Sequence, residues 1–269
     1  MRILKKALNT ALRSGGYELR RIRSPINFLE DSAACPRALY CRGVESFLVT
    51  VPLTKIKDSR LIRAWSTALK QYPDGGRVAV RHELERYFDD VQPPDVAGVL
   101  KLPPNRSWHR GHPLSWVMPW QTKKPEAARK ARIATMTAEC RRFGFSDYSE
   151  ADGWKGFGPV SNALLNVETE RLIQLYNSLE KNGFQSSHGF TTGRLYLAGR
   201  QYLVSPDAGW HRIAAMIALG HNALPLRFVQ SASSVVRRED VAFWPGVQCE
   251  LFSEDEALAI FDQLFVPYQ

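Results

Sequence analysis

At 269 residues, with 44% apolar and 23% charged side chains, the chain has the size and composition of a soluble globular protein of one large domain or two small ones. No run approaches the roughly 20 apolar residues of a membrane-spanning helix, and the four cysteines (Cys35, Cys41, Cys140, Cys249) follow neither a disulfide framework nor a Cys-x-x-Cys zinc pattern. The net charge of +9 is concentrated: residues 1–25 hold seven cations and one anion, which leaves the body close to neutral and argues against a nucleic acid as partner.

Residues 1–13, "MRILKKALNTALR", predict a short amphipathic helix with Ile3, Leu4, Leu8 and Leu12 on one side and Arg2, Lys5, Lys6 and Arg13 on the other. Such a helix either docks on its own domain or lies on an anionic membrane face. Residues 26–58 read as irregular, with "SFLVTVPL" (46–53) suited to a strand. A helix is predicted over 59–72 from Leu61, Ile62, Trp65, Ala68, Leu69 and Tyr72, stopped by Pro73-Asp74-Gly75-Gly76. The proline- and tryptophan-rich stretch 93–125 predicts a packed loop. Its His109 and His112 have a His-x-x-His spacing but no third ligand nearby, so a metal role is set aside. Pro125 opens a helix to Arg142.

Further on, "ETERLIQLYNSLEKNG" (168–183) predicts a helix with the stripe Leu172, Leu175, Tyr176 and Leu179. Two strands, "RLYLA" and "QYLV", follow around Gly199-Arg200. An apolar helix from Ile213 to Leu219, a stop at Gly220 and a strand "LPLRFV" come next. The C-terminal "SEDEALAIFDQLF" opens with a capping box, Ser253 with Glu256 three residues on.

His211 and Arg212 pose the main question, because they stand at the mouth of a helix that is otherwise apolar. A helix N-terminus collects anions through its unpaired N–H groups and its dipole, phosphate above all. Gly209 permits close backbone approach, and His211 and Arg212 add donors. Glu168, in line with Leu172, Leu175 and Leu179, is either a capping acid in the first helical turn or a general base. In the second case burial would raise its pKa toward neutrality. Asp207 is either a turn former or a magnesium ligand.

Strand, Gly-x-His-Arg, apolar helix, glycine, strand resembles the ParB/sulfiredoxin fold, through Gly209, His211, Arg212, Ala214 and Ala215. The chain departs from that pattern before the glycine, where Ala208 stands and the acid, Asp207, is displaced by one. Trp210 occupies the place of the sulfiredoxin cysteine, which excludes sulfinic-acid reduction. Residues 157–269, with Pro119-Trp120, are also similar to a group of proteins encoded beside surface-polysaccharide glycosyltransferases, and the opening "LKKALNTALRSGGYELRRI" resembles those of enzymes from such clusters.

The resemblance implies an α+β chain organised in four parts. These are a basic amphipathic helix and linker over 1–24, a mainly helical or irregular region over 25–156, a ParB/sulfiredoxin-like domain over 157–235 and a helical extension over 236–269. It implies nucleotide phosphates at Gly209, Trp210, His211 and Arg212, with ATP or another nucleotide and Mg2+ as cofactor and Glu168 and Asp207 as catalytic carboxylates. The expected activity is phosphoryl transfer to a sugar, a polysaccharide precursor or another small hydroxyl compound. The alternatives are a nucleotide sensor or scaffold in the same pathway, or a ParB-like DNA-binding or nuclease module. The expected location is the cytoplasm, peripheral at the inner membrane face.

Overall fold

The computed structural model describes residues 26–28, 46–57, 59–229 and 234–266, so the amphipathic helix expected over 1–13 lies outside the described residues. The chain is α+β. In order, the elements are β1 (Ile26–Phe28), β2 (Ser46–Pro52), α1 (Arg60–Lys70), α2 (Tyr72–Asp90), α3 (Val96–Leu100), α4 (Pro125–Arg142) and α5 (Asn162–Asn182). They continue with β3 (Thr191–Ala198), β4 (Gln201–Ala208), α6 (Trp210–Ala218), β5 (Ala223–Val229), β6 (Val235–Arg237), α7 (Pro245–Gln248) and α8 (Glu254–Asp262).

One mixed sheet organises them, in the order β1-β2-β5-β3-β4. β5 runs parallel to β3 beside Thr191–Gly193, and β6 runs parallel to it beside Leu195–Leu197. β2 pairs antiparallel with the whole of β5, from Ser46 opposite Val229 to Pro52 opposite Ala223. After β2 a short 3-10 turn brings Ile56 beside Val204 of β4, and the Lys57 N–H donates to the Val204 carbonyl at 2.7 Å. The strands β2, β5, β3 and β4 thereby form a closed circuit.

Alternation along the strands sends Val49, Val51, Leu195, Val204, Leu224, Leu226 and Phe228 to one face, where α1, α2, α5 and α6 cover them. Trp65, Leu69, Leu84, Leu172 and Ile213 complete this main core. On the other face Tyr196, Leu203 and Val236 pack beneath Trp120, Trp244 and Phe261, which meet edge-on or tilted at 5.2–6.0 Å. The proline-tryptophan stretch is therefore packed as expected, but it is not loop throughout: α3 lies within it, followed by 3-10 turns at Ser107–Arg110 and Pro113–Ser115. A third cluster sets Met136 and Cys140 of α4 against Leu164 and Val167 of α5.

The boundary expected at residue 156 does not divide the packing. β2, α1 and α2 lie before it, yet they share a sheet and the main core with β3, β4, α5 and α6. The stop at Pro73–Gly76 is a kink at Gly76 (φ 60°), after which Val80, Leu84, Tyr87 and Phe88 bury a second helical face. α5 begins six residues earlier than its acidic sequence suggests, at a cap where the Ser161 hydroxyl accepts from the Leu164 N–H. α4 and the Ser253–Glu256 capping box form as expected. No described helix is long and apolar enough to cross a membrane.

Candidate functional site

β4 ends at Ala208 and the chain turns directly into α6. Gly209 makes that turn with φ 88° and ψ 21°, a left-handed conformation costly for any residue with a Cβ. A Cβ here would also lie 2.6 Å from the Thr191 hydroxyl at the start of β3, so the position is closed to side chains twice over. Being glycine, it supplies no side-chain cap, and the first N–H groups of α6 have no intrahelical acceptor. Thr191 next to them is 1% exposed, and its Oγ1 has no hydrogen-bond partner among the described residues. Trp210 is half-buried against the main core.

His211 does not point toward that end. Its ring stacks on Trp65 of α1, with centroids 4.1 Å apart and planes 26° from parallel, and its Nε2 lies 2.7 Å from Glu168 Oε2 on α5. Glu168 is fully enclosed, and its other oxygen accepts from Arg171 Nη1 at 2.6 Å. The chain of charges continues: the same Arg171 nitrogen donates to Glu139 Oε2 of α4 at 3.0 Å, and Lys155 Nζ donates to that oxygen at 2.5 Å. Two carboxylates and two cations thus balance, with the imidazole at one end.

Burial holds His211 below the ordinary imidazole range; Glu168 pulls it back up, while Arg171 and Lys155 push it further down. The neutral ring donates its Nε2–H to Glu168. Burial alone would raise the Glu168 carboxyl, but His211, Arg171 and Lys155 outweigh it and hold the group down at about 2. The expected elevation is corrected here, for a plain reason: the buried acid has a cation and an N–H donor on its two oxygens. The capping role is corrected too, since Glu168 lies in the second turn of α5, not the first.

Arg212 Nη1 donates to the Gly189 carbonyl at 2.7 Å, and its guanidinium lies 5.5 Å from the Phe184 ring centroid. It ties α6 to the segment before β3. Asp207 is half-exposed, with Oδ2 3.5 Å from Arg194 Nη2, and among the described residues no three metal-ligating side chains cluster. His109 and His112 have separate partners: His109 Nδ1 meets the Pro103 carbonyl at 3.1 Å, and His112 Nδ1 accepts from the Leu114 N–H at 3.2 Å.

The fold therefore joins Glu168 and His211, 43 residues apart, and leaves Asp207 on its own beside Arg194. Trp65, Arg171, Glu139 and Lys155 were not among the expected site residues. Only Arg171 had a signal, three residues after Glu168 on the same helix face. Compared with known proteins, the chain matches no family model, no curated sequence and no solved structure.

Proposed function

We propose that this chain binds a nucleotide by its phosphates at the N-terminus of α6, as its resemblance to ParB/sulfiredoxin-like proteins implies. The observation that carries the reading is Thr191: a buried hydroxyl without a partner among the described residues, beside a helix end whose cap is a glycine. Phosphate oxygens accept from such N–H groups and from a hydroxyl, and the helix dipole favours their charge. Asp207 and Ala208 are exposed and Gly209 and Arg212 half-buried, so solvent reaches this end.

In this reading His211 and Glu168 are positioning residues. They pin the first turn of α6 to α1 and α5, and through Arg171 to α4. Glu168 is fully enclosed and both its oxygens are taken, by His211 and by Arg171, so it does not reach a substrate hydroxyl, and binding, in a sensor or scaffold of polysaccharide assembly, is the leading function. Phosphoryl transfer to a sugar is the second reading, and Asp207 favours it. Its half-exposed carboxylate, two residues before Gly209, suits Mg2+, which commonly takes one or two carboxylates together with phosphates and water. The near-neutral body weighs against DNA.

Titration calorimetry of the full chain with ATP, with and without Mg2+, tests the proposal. Wild type binds, and Thr191→Val weakens binding about tenfold, the worth of one good hydrogen bond, with no loss of melting temperature. Absence of nucleotide binding, or unchanged affinity in Thr191→Val, overturns it.

A further inference from the structure

Arg194 of β3 and Arg227 of β5 take no part in the α6 junction. β5 places Arg227 beside Thr192, and strand alternation puts Arg194, two residues on, on the same face. That face is the one turned away from the main core: Leu226 and Phe228 are buried on the core side, and Arg227 between them is half-buried on the other. Across the neighbouring strands Leu48 flanks Arg227 and Ser205 flanks Arg194.

Each guanidinium has its Nε enclosed without a hydrogen-bond partner among the described residues, and Arg194 is 7% exposed. The acid in contact is Asp207, 3.5 Å from Arg194 and itself half-exposed; no described acid forms an ion pair with Arg227. Buried charged donors without acceptors are a cost of folding. Arginine's planar fork matches an oxyanion, and a dianion outcompetes a single loosely held carboxylate for it. Thr192, Ser205 and Arg227 are half-buried, and the strand end at Asp207–Ala208 is exposed, so a small ion has access.

We propose that Arg194 and Arg227 form an oxyanion site on this face of the sheet, separate from the α6 N-terminus and suited to a phosphate-type dianion. Thr192 and Ser205 flank it with hydroxyls. The site does not depend on nucleotide binding at Thr191, because Thr191 and Thr192 point to opposite faces, although Asp207 beside Arg194 is also the carboxylate of the phosphoryl-transfer reading.

The test is titration of the full chain with inorganic phosphate at constant ionic strength, in a Thr191→Val background that weakens the α6 end about tenfold. Phosphate binds this background in preference to chloride, and adding Arg227→Gln weakens it at least tenfold. In chloride alone, Arg227→Gln melts at or above the wild-type temperature, because the side chain it removes has no ion-pair partner among the described residues to lose. Equal phosphate affinity with and without Arg227→Gln overturns the proposal, as does phosphate binding no better than chloride. A fall of several degrees in chloride also overturns it, since Arg227 would then be held by an acceptor of the chain itself. Failure of the ATP titration alone leaves these outcomes unchanged.

Discussion

On the helical side of the sheet Glu168 meets His211 and Arg171, and Glu139 meets Arg171 and Lys155, so each charge has an opposite within 3.0 Å. On the far side Arg194 has one half-exposed carboxylate, Asp207, at 3.5 Å, and Arg227 has no ion-pair partner among the described residues. The first set is balanced and saturated, and the second has donors to spare. Burying a balanced set is close to neutral against an apolar replacement, but removing one member is costly because the rest are stranded. Surplus donors behave in the opposite way: deleting one relieves a strain unless a ligand is present. Completeness thus distinguishes charges that hold the fold from charges that await something.

The largest effect should come from breaking the saturated set. Glu168→Gln removes the charge that pairs with Arg171 and leaves one acceptor oxygen for the two donors His211 and Arg171, and should cost about 3–5 kcal/mol in urea unfolding. A loss under 1 kcal/mol would mean that the network contributes nothing specific, and the contrast between the two sets would fail.

The pH dependence sharpens the same contrast. Both His211 and Glu168 titrate lower in the folded chain than their ordinary values of 6.5 and 4.5. In each case the unfolded chain binds the proton first, so the stabilisation is whole above the ordinary value and is lost as pH falls. Unfolding free energy should begin to drop below about pH 6.5 through His211, then fall more steeply from about 4.5 toward 2 through Glu168. His211→Phe should flatten the first limb and leave the second; a first limb that survives the substitution would assign it to another group.

The smallest change is expected on the far side. Arg194→Met, measured in chloride, should stay within about 1 kcal/mol of wild type in either direction, since an apolar replacement of a poorly paired buried charge is near neutral. A loss as large as that of Glu168→Gln would erase the distinction.

Much of the scaffold was legible in local chemistry. Pro125 and the Ser253–Glu256 box mark helix starts without help from the rest of the chain, and Gly209 marks a turn that only glycine makes comfortably. α2 was missed because Pro73-Asp74-Gly75-Gly76 reads as an end, whereas the chain kinks there and goes on burying Leu84 and Phe88. The early start of α5 was missed because Ser161 caps it without an acid three residues on. The inward direction of Glu168 followed from its helical position, but its ionisation did not. That depends on His211, 43 residues away, and on Arg171, whose spacing from Glu168 was visible and whose burial was not. Nothing local foretold Trp65 beneath the imidazole, because that contact is made by the packing of α1 on α6.

The closed circuit of strands sets a schedule for the growing polypeptide. β2 is synthesised by residue 52, but its neighbour β5 ends at Val229, and Val204, which accepts from Lys57, lies nearly as far ahead. A ribosome can release α1 and α2 to pair with each other, yet the first long strand waits for most of the remaining chain before its edge is covered. Such distant pairings make folding slow relative to local ones and leave an unpaired apolar strand exposed in the meantime. For this chain the vulnerable interval is the time between the emergence of Val51 and that of Leu224, its partner across the sheet.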